Sequence, residues 1–263
     1  MTDLAQHLPV TIVSELVGLP GEGRERMLDW AAANFNCFGP LNERTERAFG
    51  VVEEMVHYAF TQAVPGKLKP GGWAAMIYEA AERGEIPMDK PPAMMNDYMG
   101  PSLDTTIFAT ASAIWLFANH PEQWDALREN PALIPQAVNE VIRLESPIQA
   151  FSRFTVSDYD VGGASLPSGS RVIVLYGSAN RDERKWEAPE AFDVNRRAAD
   201  HLGFGFGPHV CVGNGLARLE ISALLTALSA KVKRFELHGE TRALNNVLRG
   251  FSSLDVSIAP LDA

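Results

Sequence analysis

Cysteine is scarce in this chain. Its 263 residues include two, Cys37 and Cys211. They lie far apart and lack the paired spacing of a zinc site or a disulfide framework, which fits a reducing compartment. Basic residues are in the minority, 23 Lys and Arg against 33 Asp and Glu, for a formal charge of −10. An acidic chain without a basic run argues against nucleic acid as a partner. Long apolar runs are missing as well. The longest, 107–118, is shorter than a bilayer span and contains Thr110 and Ser112. The N-terminal Met-Thr-Asp-Leu-Ala-Gln-His has neither the basic nor the apolar region of a secretory signal. Internal repeats and low-complexity stretches are absent. The expectation is a cytoplasmic protein with no membrane segment, and its 46% apolar content is ample for one domain over 1–263.

One stretch stands out, His201-Leu-Gly-Phe-Gly-Phe-Gly-Pro-His-Val-Cys211-Val-Gly-Asn-Gly. Gly203, Gly205 and Gly207 permit positive φ and close backbone approach, so a tight, shaped loop precedes the cysteine. After Gly213 the pattern turns helical, with Leu216, Leu219 and Ile221 spaced among Ala, Arg and Glu. Cys211 thus sits where loop becomes helix, and amide N–H groups there favour a thiolate. Such a thiolate suits a single axial ligand to a large flat metal cofactor. Taken alone, the loop also fits a small buried structural cysteine.

Upstream, the sequence is predominantly helical. Apolar spacing predicts helices over 3–35 around a turn at 18–23, then over 42–61 and 73–83. The longest predicted helix is 93–119, about 40 Å at 1.5 Å per residue. Pro101 inside it deprives the Asp97 carbonyl of its partner, so the helix should open or kink there. One turn later a carboxylate and a hydroxyl stand side by side, Asp104 and Thr105. The hydroxyls of Thr105 and Thr106 could equally bond back to helix carbonyls. Helix 134–145 carries Glu140 and Arg143, three apart and able to pair on one face. Strands are predicted at 151–156 and 171–176, the latter an apolar run expected to be covered on both faces. A hairpin closes the chain.

The spacing Phe-Gly-x-Gly-x-His-x-Cys-x-Gly at Phe204, Gly205, Gly207, His209, Cys211 and Gly213 resembles the haem-binding loop of bacterial cytochromes P450. The Asp104–Thr105 pair and the Glu140-x-x-Arg143 helix occur in the family's order. The resemblance covers the C-terminal two-thirds of the family pattern. It implies a mainly α, cytochrome P450 fold with small β-sheets, N-terminally truncated. Cys211 would be the axial thiolate of haem b, with Phe204, Gly205 and Gly213 forming the loop. Arg153 and His209 would bind the propionates. Asp104 and Thr105 would be catalytic, delivering protons, and Glu140 and Arg143 would buttress the loop. The usual third arginine of that buttress is replaced by Ala191, which leaves Arg196 or Arg197 to substitute. The implied activity is monooxygenation of a small organic, aromatic-type substrate with electrons from a ferredoxin or flavodoxin. The alternative is an inactive homologue or a non-catalytic haem-binding protein.

Overall fold

The computed structural model describes residues 2–261. A π-helical turn, Thr2–Gln6, leads into α1, His7–Val17, which ends at Gly18 with φ 73°. A short 3-10 turn, Arg24–Arg26, precedes α2, Met27–Cys37. Next comes α3, Glu43–Thr61, opened by Asn42, whose side chain accepts from the N–H groups of Arg44 and Thr45. Helices α4, Trp73–Glu82, and α5, Pro91–Met99, complete this half.

Helix α6, Asp104–Asn119, runs through the centre with most of its residues buried. The predicted single helix over 93–119 is therefore two helices, separated by 100–103. Pro101 cannot donate an N–H, as anticipated, but the interruption is wider than a kink. Gly100 explains why. An added Cβ there would come within 2.5 Å of the Asn34 amide nitrogen, so α2 presses directly on the break.

Helix α7, Pro121–Glu129, and α8, Ile134–Glu145, follow. Strand β1, Ala150–Phe154, then leads to β2, Tyr159–Val161, and β3, Ala164–Leu166, which form a small hairpin. Strand β4, Arg171–Leu175, returns antiparallel to β1 with Arg153 opposite Val172. The expected two-sided burial of β4 does not hold. Ile173 is 61% and Leu175 55% exposed, because the described residues provide only β1 beside this strand. After α9, Tyr176–Ala179, an irregular stretch reaches the cysteine loop. Helix α10, Asn214–Ser229, and the hairpin of β5, Val232–Arg242, with β6, Phe251–Pro260, end the chain.

The main core gathers Trp30, Met55, Met95, Met99, Leu103, Ile107, Phe117, Trp124, Val138, Val141 and Phe251 from helices and hairpin alike. A smaller cluster, Phe35, Val247 and Leu248, ties α2 to the loop between β5 and β6. Among the described residues, no helix is long and apolar enough to cross a membrane.

Candidate functional site

Three parts of the fold converge on the cysteine loop. The first is the loop itself. Gly205 and Gly207 have φ of 74°, a left-handed backbone that side chains with a Cβ resist. This bend lets the Phe204 carbonyl accept the Cys211 N–H at 2.9 Å. Phe206, Val210 and Val212 surround the cysteine and are exposed, Val212 completely. The N–H groups of Gly213 and Asn214 are directed at the sulfur and favour its thiolate, as does the Arg218 charge. Burial of the sulfur outweighs them and pushes the thiol up. The sequence suggested that amides would prevail; packing around the sulfur is the larger effect in the chain alone. Cys37 is half-buried, and its thiol is also pushed up by burial, with no amide or cation acting on it.

The second part is the buttress. Glu140 and Arg143 have fully buried side chains and pair in a two-pronged fork, Nε to Oε2 at 2.7 Å and Nη2 to Oε1 at 2.9 Å. Arg143 also donates from Nη1 to the carbonyls of Asn180 at 2.7 Å and Pro189 at 2.9 Å. Arg196, not Arg197, supplies the third member, its Nε 3.0 Å from Glu140 Oε1. A buried ion pair holds only when its remaining donors and lone pairs are satisfied. Here carbonyls of 180–191 satisfy them, so the irregular chain before the cysteine loop is moulded onto α8. Glu145 repeats the device one turn on. Only 2% exposed, its carboxylate accepts from Arg242 at 2.6 Å and Arg249 at 3.3 Å, with Arg181 at 3.8 Å. Neither Arg196 as the definite partner nor the Glu145 cluster was legible in sequence, since their partners lie in segments without periodicity.

The third part is the helix break. Asp104 is the first residue of α6 and 7% exposed. Burial, aided by the Asp29 carboxylate, pushes its carboxyl up to about 7. A helix N-terminus favours a carboxylate by roughly 0.3–1 kcal/mol. A rise from the ordinary aspartate range to about 7 disfavours the charged form by about 4 kcal/mol, so burial decides. Thr105 is half-buried, and its hydroxyl donates to the Pro101 carbonyl at 3.4 Å, a weak bond across the break. The loop after β5 closes on this region. At Gly250 an added Cβ would lie 2.0 Å from the Phe108 ring, so only glycine lets that loop lie against α6.

Arg153 and His209 are placed apart from these contacts. Arg153 donates to the Tyr176 hydroxyl at 3.2 Å and to the Ser152 carbonyl at 2.8 Å. His209 is exposed at the end of a 3-10 turn, Gly207–His209.

The donor set decides what cofactor would fit. Among the described residues no three His, Cys, Asp or Glu side chains gather as a metal cage. What exists is one thiol on a glycine bend, amides aimed at it, and an exposed apolar rim of Phe206, Val210 and Val212. One sulfur ligand with an apolar floor fits a flat metallated ring and does not fit a bare cation.

A helical protein that presents a lone thiol on a glycine loop, braced by a buried glutamate and two arginines, defines a narrow class. A family model described as Cytochrome P450 matches residues 73–254. The chain belongs to the cytochrome P450 family. It is 38% identical over 261 residues to cytochrome P450 CYP199A2 of Rhodopseudomonas palustris, covering 99% of this chain and 63% of that protein. It is 30% identical to linalool 8-monooxygenase of Pseudomonas putida, over 98% of this chain and 64% of the relative. Among solved structures, P450BioI in complex with hexadec-9Z-enoic acid ligated acyl carrier protein superposes with a TM-score of 0.87 at 29% identity. That match covers 98% of this chain and 68% of the other. Cytochrome P450 CREJ in complex with (4-ethylphenyl) dihydrogen phosphate gives 0.88 at 29% identity, over 98% and 66%. The chain spans about 63% of the length of the first of these curated relatives.

Proposed function

We propose that this chain carries the haem-binding part of a monooxygenase that inserts one oxygen atom from dioxygen into a small organic substrate. The observation behind it is the Cys211 loop: a single thiol with two amides directed at it, on an apolar rim, braced through the Glu140–Arg143–Arg196 cluster. Cys211 would hold the iron of haem b, with Phe204, Gly205 and Gly213 shaping the loop. Arg153 and His209 would contact the propionates, as a guanidinium fork and a ring N–H suit carboxylates. When bound, the haem supplies dioxygen activation, which thiolate ligation favours.

The protein's own residues supply the rest. Asp104 holds a proton on its carboxyl near neutral pH, next to the Thr105 hydroxyl at the break in the central helices. A carboxyl poised near the working pH is suited to proton transfer. Thr105 Oγ1 carries the proton onward, its present bond to the Pro101 carbonyl being long and easily exchanged. The Glu140 cluster orients the loop and takes no part in chemistry on substrate. Electrons come from a small protein donor of the ferredoxin or flavodoxin kind. The substrate is small and organic, of aromatic type.

The test is a reduced, carbon monoxide-bound spectrum of the haem-loaded chain. Cys211→Ser should abolish the thiolate-type band, while Cys37→Ser should keep it. Loss of the band in Cys37→Ser with retention in Cys211→Ser would overturn the assignment. Thr105→Ala should leave that spectrum nearly unchanged and divert reducing equivalents to peroxide in the presence of an electron donor.

A further inference from the structure

We propose that Arg218 is the counter-ion of the Cys211 thiolate, a positioning residue that sets the charge behind the cofactor-binding face. The proposal rests on the haem-thiolate reading of Cys211 and goes beyond it, since that reading gives Arg218 no role.

Three groups hold Arg218. Its Nε donates to Asn139 Oδ1 at 2.9 Å, on α8 beside Glu140. Its Nη1 donates to Asn214 Oδ1 at 2.7 Å, one turn earlier on α10. Its guanidinium lies 4.4 Å from the centre of the Phe204 ring. All three partners are neutral. The contrast with neighbouring arginines is sharp: Arg143, Arg196, Arg242 and Arg249 each meet a carboxylate. Among the described residues no carboxylate lies within ion-pair distance of Arg218. Drawing a guanidinium partly out of water without an anion is unfavourable, and here burial does work against its charge.

The missing anion is the sulfur. Arg218 and Cys211 act on one another, the cation favouring the thiolate and the thiolate favouring the cation. Two structural routes keep them together. Asn214 accepts from Arg218 through its side-chain oxygen and donates through its side-chain nitrogen to the Cys211 carbonyl. Phe204 offers its ring to Arg218 and its carbonyl to the Cys211 N–H. On another side of Phe204 stands His201, ring centres 5.5 Å apart, its Nδ1 accepting the Gly203 N–H at 2.9 Å. That ring is buried and neutral, held down to about 4 by burial and then by Arg218 itself. It adds no positive charge, so the cation that bears on the sulfur is Arg218.

Charge and geometry can be separated by substitution. Arg218→Lys keeps a cation but loses the planar fork and much of the stacking. Arg218→Gln keeps polarity and loses the charge. The first measurement needs no haem: alkylation of Cys211 by iodoacetamide in a Cys37→Ser background at one fixed, mildly alkaline pH, where the thiolate is the nucleophile. Arg218→Gln is expected to slow the reaction about tenfold, and Arg218→Lys to stay within about threefold of the parent. The second is the ferric–ferrous equilibrium of the haem-loaded chain. Losing the cation leaves more negative charge on the sulfur and favours ferric iron, about tenfold in the equilibrium or 59 mV for one electron. Asn139→Ala unties the guanidinium without removing its charge and should slow alkylation about threefold; it keeps the test available if Arg218→Gln does not fold. Parent-like alkylation in both Arg218→Gln and Asn139→Ala overturns the proposal. So does an equal fall in Arg218→Lys and Arg218→Gln, which marks a role in packing alone. If the parent binds no haem, the haem reading fails while the alkylation series still decides the pairing.

Discussion

Two buried carboxyls carry an unusual proton affinity, and they give the residue scale its clearest prediction. Asp104 and Glu220 are 7% and 4% exposed, and burial pushes both up to about 7. Glu220 Oε2 also has no hydrogen-bond partner. In the unfolded chain such carboxyls lose their protons near pH 4; in the folded chain they hold them to about 7. The stability they support is fully present below the unfolded value and is lost as pH rises through about 7. Asp104→Asn should therefore flatten the fall in stability between pH about 4 and pH about 8, by roughly 4 kcal/mol at most. Denaturant midpoints across that range check it. An unchanged slope in Asp104→Asn would show that burial does not set its proton affinity. Glu220→Gln in the same background should remove most of the remaining slope. The sequence singled out Asp104 by its place after Pro101. It offered no sign of Glu220, because a glutamate four residues before Leu224 on a helical pattern reads as an ordinary exposed position.

At the scale of elements, the break between α5 and α6 is the feature that local sequence described incompletely. Pro101 announces an interruption, yet its width follows from a contact between parts distant in the chain, Asn34 on α2 against Gly100. Gly100→Ala should cost about 1–3 kcal/mol through this overlap. Asn34→Ala should relieve it, so the double variant should be more stable than the sum of the single changes predicts. Thermal melts of the four forms measure the coupling; strict additivity would show that α2 does not hold the break. Most other elements were legible within a residue or two: α3, α4 and the closing hairpin follow apolar spacing and turn residues. The cysteine loop was legible in full, because its glycines must sit where positive φ is required. What sequence left open were long-range choices between equivalent side chains. Arg196 and Arg197 are neighbours with one chemistry, and only the path of the chain around α8 brings the first to Glu140. The error over β4 has the same origin, since an apolar run declares what a strand prefers to touch and not what lies beside it.

For the molecule as a whole, the exposed apolar side chains cluster in two places. One is the β1–β4 sheet, with Phe154, Ile173 and Leu175, and the other is the rim of the cysteine loop, with Phe206, Val210 and Val212. Uncovered strand edges and apolar patches invite self-association. The chain by itself should sediment as concentration-dependent oligomers, and Ile173→Lys should shift it toward monomer. It should also hold less than one haem per chain. Adding haem should reduce the binding of an apolar fluorescent dye in the parent and not in Cys211→Ser. A monodisperse parent with stoichiometric haem would contradict this picture. The Glu145 cluster carries a different consequence, one of timing. Its carboxylate is buried among arginines that lie 97 and 104 positions later in the chain. A ribosome adding roughly 5–20 residues per second delivers Arg242 about 5–20 s after Glu145. Throughout that interval α8 has emerged with a carboxylate that has nowhere dry to go. The end of α8 must stay open to water until the last hairpin arrives, so this half of the molecule is finished from its C-terminus, after synthesis and not during it.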